Sequence, residues 1–168
     1  MKIGIMCALE SELLPLTREM AGVEKSTYLM RDFYSGTLDG KEVVAVVGGV
    51  GKVNAAITAQ ALILCYGAGT LLFTGIAGGL DDSLRIGDVV IGTQVLHHDL
   101  EMEWMNNGQF PGLPTDWFAP DQGLLDLCQG LGDNLHFGRI VSGEVFVTDA
   151  QRDGIIRRFH PLCVDMES

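Results

Sequence analysis

The sequence predicts an α/β fold in a single domain, residues 1–168. Short apolar runs rich in β-formers alternate with segments whose apolar residues recur at helical spacing. Glycine clusters punctuate the boundaries between the two kinds of segment. The strand-like runs show little in/out alternation, which suits a sheet covered on both faces.

Taken in order, "KIGIMCAL" is a strand, and "ESELLPLTREM" places Leu13, Leu14, Leu16 and Met20 at helical spacing. "YLMRDFYSGTL" and "KEVVAVVGG" flank Asp39-Gly40, the strongest short-range hairpin signal. From Gly51, "GKVNAAITAQALILCYGAG" sets Val53, Ala56, Ile57, Ala61, Leu64 and Cys65 on or near one helical face, with Gly67 and Gly69 as its stop. "TLLFTGIAGGL" and "GDVVIGTQVLHHDL" follow as strands. The stretch from Glu101 to Pro120, with Trp104, Phe110, Trp117, Phe118 and three prolines, reads as a long ordered loop, a feature more often functional than not. "DQGLLDLCQGLGD" is a helix, "HFGRIVSGEVFV" one or two strands, "DAQRDGIIRRFH" a helix and "PLCVDMES" a strand. No repeat, low-complexity segment or linker marks a domain boundary.

Composition narrows the function. With 47% hydrophobic and 20% charged residues the chain lies far from the disordered regime. A net charge of −11 with no basic cluster repels a phosphate backbone, so nucleic acid is not an expected partner. Cys7, Cys65, Cys128 and Cys163 are widely spaced on apolar stretches and read as small core residues in a reducing compartment. Glu10 and Glu12 interrupt the N-terminal apolar run too early for a signal peptide. No apolar run approaches the roughly 18 residues of a membrane span. The expected setting is cytoplasmic, with no membrane and a soluble partner.

Two glycine clusters invite a phosphate-binding reading. In "VVGGVGKVNAA" a Walker A loop fails at Val46 and Val53, and a dinucleotide fingerprint fails at Asn54. A Gly-rich strand-to-helix turn still lets backbone approach a ligand and aim N–H groups at it. On this stretch alone a plain tight turn is the preferred reading, and "TGIAGG" stands the same way. His97-His98-Asp99 does not read as a metal site, because neighbouring strand residues point to opposite faces.

The carboxylates remain. Glu10 and Glu12 sit just past the first strand, where an acid either complements a helix N-terminus or faces a ligand at the sheet's C-terminal edge. Asp165 and Glu167 fall on one side of "CVDMES" if it is extended. Two buried acids repel, so one of them should face a ligand or a cation.

"KIGIMCALESE", "GGVGKVNAA", "TGIAGGLDDSLRIGDVVIG", "HHD", "VSGEVF" and "VDMES", in that order from Met1 to Ser168, resemble the 5′-methylthioadenosine/S-adenosylhomocysteine nucleosidase family of the purine nucleoside phosphorylase superfamily. The resemblance implies a single α/β domain with a central mixed, partly barrel-like sheet surrounded by helices, as a homodimer without metal or cofactor. It implies hydrolysis of the N-glycosidic bond of methylthioadenosine and adenosylhomocysteine, with 5′-deoxyadenosine as a further substrate, in methionine salvage. By resemblance Glu12 is the general base that activates water. Glu167 binds the ribose hydroxyls, with Met166 packed on the sugar and Asp165 beside it. Phe146 stacks on adenine and the backbone of Val147 reads the purine edge. Val50, Ala77 and Gly78 line the ribose and base pocket, and the Trp104/Met105 region covers the 5′ substituent across the dimer interface.

Phosphorolytic relatives carry an Arg two residues before the glycine matching Gly75, where this chain has Phe73, so hydrolysis is expected. Ile76 departs from the Ser common there, and "VTDAQ" departs from an Asn-containing version. The family continues past Glu167 with a helix, a strand bearing an Asp that protonates purine N7, and a final helix. The 168-residue chain is therefore expected to be C-terminally incomplete and inactive on its own. A futalosine or aminofutalosine hydrolase, and a non-catalytic nucleoside-sensing module, are the rival readings.

Overall fold

A computed structural model of the protein describes residues 1–100, 117–132 and 134–168, which form two compact units, Met1–Ile76 with Glu167 and Ala77–Met166 with Ser168. Trp104, Met105 and most of the long loop expected from Glu101 onward lie outside the described residues.

The first unit runs β1 (Lys2–Cys7), α1 (Glu10–Glu19), β2 (Ala21–Tyr28), β3 (Arg31–Leu38), β4 (Lys41–Val47), α2 (Lys52–Leu64) and β5 (Ala68–Phe73). Its sheet has the order β2-β3-β4-β1-β5, with β1 parallel to both β4 and β5 and with β2, β3 and β4 antiparallel. Val43 through Val46 are all buried, which is why β4 reads as a continuous apolar run. Successive side chains point to opposite faces. Val44 and Val46 pack with Met6, Phe33 and residues of α2, while Val43 and Ala45 pack with Ile5, Cys7 and Leu13 of α1. Each fully buried Val or Leu contributes about 1.5–3 kcal/mol.

The sequence reading placed one strand from Tyr28 onward, and the structure corrects it. A further strand, β2, precedes a hairpin turned by Leu29 and Met30, both left-handed at φ +50° and +58°. Neither is a turn former, so no local signal announced it. The hairpin at Asp39-Gly40, by contrast, stands as expected between β3 and β4.

The second unit carries β6 (Gly78–Gly79), β7 (Val89–His97), α3 (Gln122–Cys128), β8 (Leu135–Ser142), α4 (Asp149–Phe159) and β9 (Cys163–Asp165). Its sheet has the order β6-β9-β8-β7, with β7, β8 and β9 parallel and β6 antiparallel to β9. Leu80, Leu96, Val141, Ile155 and Val164 form its core. Asp121 caps α3 by accepting from the Leu124 amide at 3.0 Å, and Gln151 accepts from the Thr148 amide at the start of α4.

The mixed α/β class is as expected, expressed as two mixed sheets with four helices among the described residues. The strand expected over "PLCVDMES" is only Cys163–Asp165, so Asp165 and Glu167 do not share a strand face. The cysteine expectation holds for Cys7 and Cys163, which are buried. It fails for the exposed Cys65 and the half-buried Cys128. Cys65 is the C-cap of α2, just past the helix residues that are buried, Ala55, Thr58, Ala61 and Leu62.

Candidate active site

Parallel pairing brings the loops after β1, β4 and β5 to one end of the first sheet, the end where α/β proteins bind ligands. Gly48 N–H donates to the Cys7 carbonyl at 2.8 Å and Thr74 N–H to the Met6 carbonyl at 3.1 Å. The ladder thus runs on past the strands and fixes Ala8–Leu9, the glycine turn and Thr74–Ile76 against one another.

Glu12 sits in the first turn of α1, among these loops. Its Oε2 accepts from the amides of Ala8 at 3.0 Å and Leu9 at 2.9 Å, and its Oε1 accepts from the amide of Ile76 at 2.9 Å. The contact to Leu9 is ordinary helix capping by a Glu at the third helical position. The contact to Ile76, 64 residues away, is not. A carboxylate offers about four acceptor positions, so three amides orient it and leave one on Oε1 for a water or ligand proton. Gly75 makes room for this: a Cβ there would lie 3.0 Å from Oε1. Below Glu12, the buried Cys7 thiol is pushed up to about 11, first by burial and then by the Glu12 charge.

The glycine turn ends at Gly51, the N-cap of α2, at φ +98°, and Gly49 stands at φ +90°. Both are backbone shapes that favour glycine. Gly51 N–H donates to Glu167 Oε1 at 2.9 Å, which sets that carboxylate at the positive end of a 13-residue helix. The plain-turn reading of this stretch was therefore incomplete. The side chain of Val50 is 46% exposed beside it, and that of Ile76 is 78% exposed.

Within the second unit, Gly78 pairs opposite Val164, and a Cβ on Gly78 would lie 3.3 Å from Val164 Cγ1, so the Val164 side chain takes the space a larger residue would need. Ala77 is exposed and precedes it. Asp165 is buried and accepts from the Ser168 amide and hydroxyl. Met166 and Val147 are half-buried, and Phe146 is 87% exposed, presenting its ring outward. Asp99 accepts from the Glu144 amide at 2.8 Å and so holds the loop that leads to Phe146. Met105 lies outside the described residues. Among the described residues no group of three or more His, Cys, Asp or Glu side chains is placed to hold a metal, and no helix is long and apolar enough to cross a membrane.

Sequence reading missed Arg31, which donates into the glycine turn, and noticed Asn54 only as a failed glycine. Nothing local could have exposed Arg31, because its partners lie up to 23 residues away.

The fold and this loop constellation define a class that comparison with known proteins makes specific. The family model described as the phosphorylase superfamily matches residues 2–168. A 5′-methylthioadenosine/S-adenosylhomocysteine nucleosidase of Halalkalibacterium halodurans is 37% identical over 175 aligned positions, covering 99% of this chain and 75% of that protein. The structure of such a nucleosidase from S. pneumoniae with the transition-state inhibitor MT-ImmA superposes with a TM-score of 0.92 at 30% identity, over 99% of this chain and 76% of that one. A futalosine hydrolase mutant of Helicobacter pylori gives 0.91 at 26% identity, over 99% and 79%. The chain belongs to the 5′-methylthioadenosine/S-adenosylhomocysteine nucleosidase family, within the phosphorylase superfamily.

Proposed function

We propose that the protein is an N-glycosyl hydrolase that cleaves 5′-methylthioadenosine and S-adenosylhomocysteine to adenine and a 5-substituted ribose. The observation that carries this is the Glu12 carboxylate, fixed by three backbone amides with one acceptor position to spare. A water donating to Oε1 is oriented and loses its proton to Glu12 as it attacks the anomeric carbon. The C–N bond breaks through an oxocarbenium-like state and its electron pair leaves with adenine, which takes up one proton from solvent while Glu12 returns to solvent the one it took from water. Glu167 accepts from the ribose hydroxyls, interactions that strengthen as charge develops on the sugar.

Phe73 supports hydrolysis over phosphorolysis. It packs on the apolar cluster of Phe33 and Leu62, and offers no charge to a phosphate. In the second unit we assign Phe146 to stacking on the purine, the Val147 backbone to its edge, Met166 to the sugar, and Asp165 to holding the segment that carries Met166. Val50, Ile76, Ala77 and Gly78 are assigned to the pocket lining, and Met105 to the 5′ substituent.

We also read the protein as a cytoplasmic homodimer serving methionine salvage. Val53, Ile57 and Leu64 form an apolar stripe on the outward face of α2, exposed by 69%, 41% and 70%, of the kind that a second subunit covers. Light scattering reads this directly, and twice the monomer mass is the expected value.

The deciding experiment is release of the free purine base by the natural protein from methylthioadenosine and adenosylhomocysteine, read as adenine, and from futalosine, read as hypoxanthine, in parallel. Turnover of the first two, lost with Glu12→Gln, is expected. Preference for futalosine would move the assignment to that hydrolase, and binding without release would make the protein a sensor.

A further inference from the structure

Arg31 opens β3 at the foot of the strained Leu29–Met30 turn, and its guanidinium donates in three directions. Nη1 reaches the Leu29 carbonyl at 3.0 Å, Nε the Gly48 carbonyl at 2.9 Å, and Nη2 the Asn54 side-chain oxygen at 2.6 Å. Asn54, in the first turn of α2, passes the contact on, its Nδ2 donating to the Val50 carbonyl at 2.7 Å. The orientation of this amide is set by chemistry. Arg31 can only donate and the Val50 carbonyl can only accept, so Oδ1 must face the first and Nδ2 the second.

The carbonyl of Val50 and the N–H of Gly51 belong to one peptide group. That group is planar and trans, so its C=O and N–H point in opposite directions. Pulling the carbonyl toward Asn54 therefore aims the Gly51 N–H the other way, and there it meets Glu167 Oε1 at 2.9 Å. Without the pull, Gly51, which borders this plane at φ +98°, would let it rotate more freely than a residue with a side chain.

We propose that Arg31 and Asn54 are positioning residues for Glu167. Together they lock the Val50–Gly51 peptide plane, and through it they set the protein's discrimination for substrates that carry ribose hydroxyls. This rests on the reading of Glu167 as the group that binds those hydroxyls. Neither residue touches substrate in this scheme. A network that merely tied the β2–β3 hairpin to α2 would affect every substrate alike, whereas a plane-setting device acts selectively on hydroxyl recognition.

The test compares kcat/KM for methylthioadenosine and its 2′-deoxyribosyl analogue in the natural protein and in Glu167→Gln, Asn54→Ala, Asn54→Asp and Arg31→Lys. Asn54→Asp keeps an acceptor for Arg31 but removes the donor to Val50, so it separates plane-setting from anchoring and stands in should Asn54→Ala fail to fold. The expected result is a fall of about tenfold in the ribosyl-to-deoxyribosyl ratio for Asn54→Ala and Asn54→Asp, the loss of one charge-assisted hydrogen bond's worth of discrimination. Arg31→Lys, whose ammonium cannot span three acceptors, lowers the ratio in the same direction. In the Glu167→Gln background the Asn54 variants should change the ratio by less than about threefold, because residues in one network are non-additive. Equal losses on both substrates, or full additivity, would overturn the inference. A ratio unmoved by Glu167→Gln itself would instead remove the role assigned to Glu167, and the inference with it.

Discussion

The carboxylate of Glu12 and the backbone amide of Ile76, 64 residues apart, lie 2.9 Å from each other. That contact distinguishes Glu12 from an ordinary helix-capping acid, because Ile76 leads on from β5 and has no part in α1. Replacing Glu12 with Gln makes the side chain turn an NH2 group toward an amide donor, and removes the base. Turnover should fall by about 10²–10⁴. The stability loss should stay within about 1–3 kcal/mol. Single-turnover adenine release and a urea melt measure the two separately. An active, well-folded E12Q variant would remove the base assignment.

Gly75→Ala tests the position of the carboxylate without touching it. The new Cβ would stand 3.0 Å from Oε1, tighter than most real contacts of this kind, so Glu12 must give by a few tenths of an ångström. Displacement by a fraction of an ångström to one ångström costs up to about 10²-fold in rate. The loss should appear mainly in kcat, with KM changed little.

Ile76→Ala tests whether that position orients Glu12 through its backbone, its pocket-lining side chain bearing on KM instead. The side chain is 78% exposed while the N–H is the group that holds Glu12, so kcat should stay within about threefold of the natural protein. A large kcat loss would mean the isoleucine side chain itself is needed.

Two buried thiols set a pH dependence of stability. Cys7 is pushed up to about 11 and Cys163 to about 12, each chiefly by burial, from an ordinary value of 9.0. Above that value the unfolded chain releases protons that the folded chain keeps, so the contribution is full below pH 9.0 and is lost as pH rises toward each folded value. Each thiol gives a slope of about 1.4 kcal/mol per pH unit inside its window. Urea midpoints should fall over this range, and less steeply in a Cys7→Ala, Cys163→Ala variant. In the native protein a thiol reagent should label the exposed Cys65 well before either buried thiol.

Phe33 is fully buried and stacks on Tyr66 with ring centroids 4.2 Å apart. Phe33→Ala should cost about 3–5 kcal/mol. Calorimetry would show this as a large drop in Tm, whereas a drop of a degree or two would mean the first unit's core repacks around the gap.

Much of the fold was legible because its signals are local. The spacing of Leu13 and Leu16, the Asp39-Gly40 turn and the apolar run of β4 each lie within one element, where a few neighbouring residues decide the backbone. The same locality made Glu12 and Glu167 visible as acids at strand ends. Only the tertiary structure decided what those acids touch. The register of β1 against β5, which sets Met6 opposite Phe73, carries Ile76 to Glu12, and the glycine turn receives Glu167 from 116 residues away. The Leu29–Met30 hairpin was hidden for the same reason. Its left-handed turn has no favouring residue, and it is held by pairing of β2 with β3 and by Arg31. A sequence determines its own local conformational preferences, but a hydrogen bond between distant segments exists only once sheet pairing has fixed the distance between them.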